Sequence, residues 1–359
     1  MPYIKTGKIS LNMKLKTLLS FAILMLAATF TQAQDIHFSQ FYMAPTNLNP
    51  ALTGVMNCNG RATFNYRSQW QSVLKTNAFK TTNASYDGRT PVGRADFFGY
   101  GFTLSGDQAG SSSFQTTHGK FSMSYSKKMG GTRKRSHYLV AGAEMGLAQR
   151  SVNFLEMRFG SQFDGEAWNA NLPTNEDFAR DSYTFGDLGG GLLWFSVLDE
   201  NTNFYAGASF IHLNAPNQSF NNDGSVQLAS RIALHAGGEV MFNRKIGLVP
   251  GIVMFSQGPA MEINGGTSVK FVVGKQANDY QAFLFGIWGR IAKDYQSGLA
   301  MDAVIFSTRF DFNNTTIGFS YDTNVSALRP ASNGNGGFEL ALAYKICKGF
   351  SRNVYCPRF

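Results

Sequence analysis

The chain has 359 residues, of which 43% are hydrophobic, 14% aromatic and only 15% charged. The formal net charge of +9 falls to +5 without residues 1–33, which carry four lysines and no acidic residue. That balance is too small to indicate nucleic-acid binding, and the sequence has no basic stripe with interleaved aromatic residues for single strands to stack upon. Many Phe, Tyr and Gly residues with few charges suit a protein wall that is apolar outside and polar inside.

Residues 1–33 combine upstream residues, over 1–12, with an export signal that we expect to begin at Met13. Lys14 and Lys16 precede an apolar run over residues 18–30, and small residues follow up to Ala33. We predict cleavage between Ala33 and Gln34. A retained anchor helix is the alternative, but the run is shorter than the roughly 20 residues that a spanning helix needs.

Residues 34–57 form a pre-barrel segment. The segment is too rich in Pro and Asn to begin as a strand. We expect it to tuck under or into the remainder of the chain, with Phe38, Phe41 and Tyr42 buried.

From residue 58 to residue 346, segment after segment alternates apolar and polar residues with a period of two, as strands between lipid and lumen do. The clearest is 138–152, in which Leu139, Met145 and Leu147 face one side and Glu144 and Arg150 the other. Regular alternation recurs at 115–128, 230–242, 261–273, 315–322 and 338–346. Weaker strands are predicted near 61–69, 78–87, 97–107, 183–197, 203–213, 247–257, 279–291 and 299–312.

These segments predict an all-β, single-chain antiparallel transmembrane β-barrel of about 14 strands, in one domain, followed by a C-terminal tail over 347–359. Strands in hydrocarbon cannot leave edge amides unpaired, so the sheet must close. The longest predicted connections, 154–182, 214–229 and 323–336, all fall on one side, whereas most turns on the other side are short. The turn around Gly88 to Ala95 is predicted to be long and breaks this rule. A soluble antiparallel sandwich is the alternative architecture.

Seven charged residues are predicted to point into the lumen, and their signs are mixed. Opposite charges in a barrel of this size can pair across the lumen and narrow it, which favours a plugged barrel. A water-filled lumen in which each charge is solvated is the alternative. The seven residues are Lys120, Glu144, Arg150, Arg231, Glu239, Glu262 and Lys270.

Three cysteines, Cys58, Cys347 and Cys356, lie near the two chain ends. In a closed barrel the first and last strands pair, which would bring Cys58 close to the other two. An exported chain meets an oxidising compartment, so we predict one disulfide and one spare thiol, with the partner of Cys58 left open. A zinc site lacks a nearby fourth ligand.

No catalytic or cofactor motif is found in the sequence. The five histidines are scattered, and neither H-E-x-x-H nor G-x-S-x-G occurs. We therefore expect no enzyme activity, no cofactor and no metal site.

Both ends of the mature chain resemble the PorP/SprF family of outer-membrane proteins of type IX secretion and gliding motility. At the start, the matching residues are Asp35, Phe38-Ser39-Gln40-Phe41-Tyr42, Pro45, Asn49-Pro50-Ala51 and Gly54. Near the end, they are Tyr321-Asp322, Asn324-Val325-Ser326, Ala331-Ser332, Gly336-Gly337-Phe338-Glu339-Leu340 and Cys356-Pro357-Arg358-Phe359.

The resemblance implies a non-enzymatic component in the outer membrane of a Gram-negative bacterium, surrounded by outer-membrane lipid. It implies delivery or anchoring of secreted surface proteins, such as adhesins, through their C-terminal domains. It also implies contacts with other secretion components, including periplasmic or lipoprotein subunits. A passive porin or substrate channel is the main alternative, and a barrel that only scaffolds periplasmic lipoproteins is another.

Overall fold

The computed structural model describes residues 35–132, 135–176, 180–199, 202–220, 226–274, 280–294 and 298–347. The predicted cleavage site at Ala33 and Gln34, Cys356 and most of the predicted tail lie outside the described residues. In the described part of the chain, no helix combines the length and the apolar character needed to cross a bilayer.

Fourteen antiparallel strands close into a barrel in which each strand pairs with its neighbours in sequence and β1 pairs with β14. The closing pair runs from Gly60 opposite Ile346 to Gln69 opposite Gly337. The predicted fold class is therefore confirmed, and the sandwich is excluded. The strands are β1 Gly60–Gln69, β2 Phe79–Val92, β3 Asp96–Ala109, β4 Phe114–Gly131, β5 Ser136–Ser151, β6 Ser182–Asp199, β7 Thr202–Ile211, β8 Arg231–Met241, β9 Ile246–Gln257, β10 Ala260–Val272, β11 Gln281–Asp294, β12 Gly298–Phe312, β13 Thr315–Asn324 and β14 Asn335–Ile346.

Alternation along the strands places large apolar side chains on the outer surface and polar ones inside. Leu139, Met145 and Leu147 of β5 are exposed on the outside, while Glu144 of the same strand is buried. A sheet with period two separates its faces in this way, so an apolar outer surface and a polar lumen follow from one pattern.

The two ends of the barrel differ in their connections. We call the end that holds Gly60 and Ile346 the terminus side and the opposite end the loop side. The loop side carries the longest connections, 152–181, 212–230 and 325–334. The short helices Gln71–Leu74 and Arg329–Ser332 also lie in loop-side connections.

The long turn predicted around Gly88 to Ala95 is wrong. Strand β2 continues to Val92, and only residues 93–95 connect it to β3. Pro91 favours a turn in the sequence, but in the structure it lies within β2 and pairs with Phe97 of β3. Because β1 begins at Gly60, opposite Gly88, the last part of β2 has a strand on one side only, and a proline without an N–H is tolerated there.

Candidate functional site

The candidate site is the barrel lumen, which residues 35–57 occupy. We call these residues the plug. They run from the loop side, where the Asp35 N–H donates to Gln257 Oε1 at 2.8 Å, to the terminus side, where Cys58 lies beside the end of β14. The segment was expected to tuck under or into the barrel, and its path lies inside the barrel.

Local sequence explains why the plug is not a strand. It forms three short helical turns, Phe41–Met43, Pro45–Leu48 and Pro50–Leu52. Proline at the first position of a helical turn has a suitable φ and lacks an N–H that would be unpaired there. Asn49 caps the third turn, because its Oδ1 accepts the Ala51 N–H at 2.8 Å.

The plug and the inner wall form one apolar core. Phe41, Leu48 and Leu52 are buried against inward side chains that include Val140, Leu193, Phe195 and Ile305. The ring of Tyr42 stacks on Trp288 with centroids 5.3 Å apart. Each fully buried side chain of this kind stabilises the folded state by about 1.5–3 kcal/mol, so the plug is an integral part of the folded barrel.

Buried charges of the wall hold the first turn of the plug. Glu339 accepts the N–H groups of Ser39 at 2.8 Å and Gln40 at 3.0 Å. Asp322 accepts the Ser39 hydroxyl at 2.8 Å and also pairs with Arg290 at 2.7 Å and Arg67 at 3.2 Å.

A second group of contacts holds Asn49. Its Nδ2 donates to the carbonyl oxygens of Leu192 and Ala208, both at 3.1 Å, and lies 3.0 Å from His235 Nε2. The carbonyl of the preceding Leu48 accepts the Ser209 hydroxyl at 2.8 Å. The wall therefore satisfies polar groups in the middle of the plug that would otherwise be buried without partners.

A third group of contacts holds the end of the plug near the terminus side. The Gly54 N–H donates to Asp87 Oδ2 at 2.8 Å, and Arg61 binds both oxygens of the same carboxylate, at 3.0 and 2.8 Å. The Thr53 carbonyl accepts the Ser124 hydroxyl at 2.6 Å.

Glycines in the wall leave space for the plug backbone. A Cβ added at Gly142 would overlap the backbone of Pro50 and Ala51, and a Cβ at Gly191 would overlap Asn49. A Cβ at Gly318 would overlap the Gln40 side chain. Gly142 therefore allows the plug backbone to approach the wall closely, and Gly191 and Gly318 leave room for plug side chains.

The loop-side end of the plug is held by a histidine between two carboxylates. His212, which follows β7, binds Asp35 through Nε2 and Asp187 through Nδ1, the latter at 2.7 Å. Burial alone would lower the pKa of His212, but the two carboxylates outweigh it and raise the pKa to about 9. Burial alone would raise the pKa of Asp35, and the bond to His212 and its charge hold it well below the usual range. The pair is therefore a charged ion pair near neutral pH.

The seven lumen residues named from the sequence have inward side chains that are buried or partly buried, but they do not form one cluster. Lys120 lies 2.9 Å from Glu144 and 3.5 Å from Asp187. Lys270 pairs with Glu239, and Glu262 lies 3.4 Å from His37. No carboxylate of the described residues forms an ion pair with Arg150 or Arg231. Asp322 and Glu339 were named from the sequence only as residues of the family resemblance. The other charged residues that hold the plug were not identified in advance: Arg61, Arg67, Asp87, His212 and Arg290.

Cys58 and Cys347 form a disulfide with their Cα atoms 4.5 Å apart. It links the residue after the plug to the residue after β14. No group of three or more His, Cys, Asp or Glu side chains within the described ranges is arranged to hold a metal ion.

A cavity flanks the plug on each side. The loop-side cavity has a volume of about 310 Å³ and the terminus-side cavity about 160 Å³. Strand-end residues Gln69, Phe79 and Ala109 line the larger one, which places it in the loop-side mouth.

The plugged barrel carries the sequence features of a known family. The model of the type IX secretion system membrane protein PorP/SprF matches residues 30–344, which include the plug and nearly every strand. The chain belongs to the PorP/SprF family. The predicted family is thereby confirmed, although residues 356–359 lie outside the match, and type IX secretion supplies the context in which this protein works.

Comparison of this PorP/SprF protein with curated proteins gives no match. Among solved structures, the toluene transporter TbuX of Ralstonia pickettii is similar at 11% identity and a TM-score of 0.43, over 84% of this chain and 93% of that one. CdiB from Escherichia coli is similar at 7% identity and a TM-score of 0.45, over 79% of this chain and 63% of that one. A bacterial polysaccharide outer membrane secretin is similar at 8% identity and a TM-score of 0.34, over 81% and 99%.

Proposed function

We propose that the protein is a non-enzymatic component of type IX secretion in the outer membrane of a Gram-negative bacterium. In this role it delivers or anchors secreted surface proteins, such as gliding adhesins, through their C-terminal domains. Family membership supplies the secretion context, and the plugged lumen is the single observation that favours an anchoring role over a pore.

The plug argues against a passive channel. A porin needs a water-filled path, whereas here apolar side chains such as Phe41 and Leu52 pack against Trp288 and Phe195 within the lumen. The polar contacts at Ser39, Asn49 and Gly54 hold the plug along its length. Displacing it would leave several buried groups without partners.

The absence of an enzyme function is also part of the proposal. His212 and His235 contact the plug, and His37 faces Glu262. Each is engaged in a structural contact, and function has to be argued from a site that assembles reactive groups.

Cargo is proposed to bind the loop side and partner subunits the terminus side. The loop side carries the long connection 152–181, in which Arg158 lies over Trp168 at 4.8 Å and Leu155 is almost fully exposed. Long connections of membrane barrels face the cell exterior and short turns the periplasm. On this orientation, periplasmic or lipoprotein subunits meet turns such as 242–245.

Two measurements test the proposal. Purified protein in a planar bilayer is expected to give no steady conductance, and a large steady pore would instead favour the channel function. In cells, deletion of residues 158–176 is expected to remove cargo from the surface while the barrel is still inserted. Unchanged cargo display by that variant would contradict the assignment of cargo to this connection.

Affinity purification from the native envelope distinguishes the anchoring role from a barrel that only scaffolds periplasmic lipoproteins. Recovery of secretion subunits together with cargo supports an anchoring role. Recovery of periplasmic lipoproteins without any cargo would favour a scaffold.

A further inference from the structure

The loop-side cavity contains more basic groups than its own acidic groups neutralise. Four Arg or Lys side chains line it, against the carboxylates of Asp35 and Asp107. Two of the four pair with carboxylates that do not line the cavity. Arg67 pairs with Asp322, and Lys120 pairs with Glu144 and Asp187. The other two, Arg150 and Arg231, remain available to a ligand.

Arg231 is buried without an ion-pair partner among the described residues. Its side chain lies over the ring of Phe255 at 4.4 Å and is only 6% exposed. The carboxylates whose charges act on it are Asp35, Glu144 and Glu262. Asp35 and Glu144 pair with His212 and Lys120 respectively, and Glu262 lies 3.4 Å from His37. No hydrogen bond of the described residues uses its donors, so a guanidinium this little exposed favours a ligand that accepts them.

Arg150 and His118 add to the same surface. Arg150 donates to Thr116 Oγ1 at 3.1 Å and to Gln218, and it lies 5.4 Å from the centroid of the Phe114 ring, so its described partners are neutral. His118 is 8% exposed, and its Nδ1 has no hydrogen-bond partner. Both residues line the cavity.

The chemistry of this lining matches a carboxylate on an apolar body. A guanidinium binds a carboxylate or a phosphate through two parallel hydrogen bonds. Phe79 and Phe114 supply apolar walls that a free inorganic anion cannot use. The carboxylates of Asp35 and Asp107 disfavour a doubly charged phosphate more than a singly charged carboxylate. A volume of about 310 Å³ is at the small end for ligand pockets and suits one or two residues of a peptide.

We propose that the loop-side cavity is a binding site for a peptide carboxylate that is carried by an apolar residue and held by Arg150 and Arg231. The identity of the ligand as part of a secreted cargo rests on the proposed function, because the cavity opens where cargo is expected to dock. The site itself is defined by the cavity and its two arginines and can be tested without cargo.

The test uses full-length mature protein in lipid nanodiscs and isothermal titration calorimetry. The probes are N-acetyl-leucyl-phenylalanine as the free acid, the same dipeptide as the C-terminal amide, and inorganic phosphate. The free acid is expected to bind at least tenfold more tightly than the amide. Equal binding of acid and amide, or no binding of the acid, would overturn the proposal, as would binding of phosphate alone.

Two variants and a matched control locate the site. Arg231→Gln and Arg150→Gln are each expected to weaken binding of the free acid at least tenfold. Arg244→Gln makes the same charge change in an exposed turn on the terminus side, and its affinity is expected to stay within twofold of the parent. Migration of unheated samples in SDS gels verifies that each variant is folded. Retained affinity in both folded cavity variants would reject the assignment.

Peptide binding and cargo display together test the proposed site and the proposed function independently. If the free acid does not bind while cargo display in cells still depends on the protein, the site is rejected and the proposed function stands. If the free acid binds through Arg231 while cargo display is independent of the protein, the proposed function is rejected and the site stands.

Discussion

Cys58 and Cys347 are covalently joined although 289 positions separate them in the chain. The bond lies beside the pair of Gly60 and Ile346, which closes the barrel. The plug is therefore tied to both the first and the last strand at the terminus side.

Loss of this disulfide is expected to lower stability without opening the barrel. In the variant Cys58→Ser, the ten residue pairs between β1 and β14 are retained, but the chain ends are no longer linked. We expect the free energy of unfolding to fall by about 2–5 kcal/mol. Urea unfolding in detergent checks this value, and a reductant should lower the stability of the parent protein equally. Identical stability of the reduced and oxidised parent would contradict the prediction.

Replacement of Asp322 is expected to loosen the plug. Asp322→Asn removes the charge that Arg67 and Arg290 share and weakens the contact to Ser39. We expect a loss of about 3 kcal/mol, near the low end for a broken buried pair because Arg290 keeps Asp302. Chemical unfolding measures the loss, and bilayer recordings should show current steps that the parent lacks.

The matched control for Asp322 is Asp96→Asn. Asp96 accepts hydrogen bonds from Lys127, the Tyr125 hydroxyl and the Lys128 N–H on the exposed surface near the terminus side. Because the two side-chain contacts are exposed and Asn retains an acceptor oxygen, the replacement should leave stability close to that of the parent. Equal destabilisation by the two substitutions would argue against a special role for Asp322.

A larger side chain at Gly142 is expected to displace the plug. Gly142→Val places new atoms where Ala51 lies, and overpacking of this kind costs about 1–3 kcal/mol. Conductance in planar bilayers is expected to rise, together with protease cleavage within residues 35–57. Gly186→Val is the control, because a Cβ there meets nothing within 4 Å. A silent, protease-resistant Gly142→Val variant would show that the wall accommodates the change elsewhere.

The loop-side end of the plug is expected to loosen at alkaline pH. The pKa of His212 is raised from 6.5 to about 9, so its contribution to stability is complete below pH 6.5 and is lost as pH rises through about 9. The contribution is on the order of 3 kcal/mol. The lowered pKa of Asp35 acts in the opposite sense, and its contribution is lost only in strong acid.

Hydrogen exchange of residues 35–40 between pH 6 and pH 10 measures this effect. Protection should decrease with pH in the parent protein after correction for the intrinsic exchange rate. His212→Gln should remove most of this dependence, whereas His137→Gln in β5 should retain it. A pH profile that His212→Gln does not alter would contradict the role given to this histidine.

The strands can be predicted from the sequence because each residue type depends on whether its side of the strand faces lipid or the lumen. Leu139, Met145 and Leu147 alternate with Glu144 and Arg150, and that alternation holds wherever the strand lies in the barrel. Strand ends near Pro91 were less predictable, since a proline is tolerated only where no neighbouring strand needs its N–H.

The partners of the lumen charges could not be predicted in the same way. Glu239 is in β8 and Lys270 is in β10, so the whole of β9 lies between their strands. Asp322 contacts Ser39, which is 283 positions away in the chain. Local sequence carries no information about which inward side chains face each other across a closed lumen.

Residue patterns alone predict a membrane barrel of about fourteen strands with an apolar outer face, its longer loops on one side, and a preceding segment unable to form a strand. Those features depend on periodicity and backbone preference, which act over a few residues. Three features emerge only in the folded barrel: this segment runs through the lumen, His212 binds Asp35, and Arg150 and Arg231 line one cavity. Barrel closure brings distant positions together, and the energy of buried charges depends on which groups become neighbours.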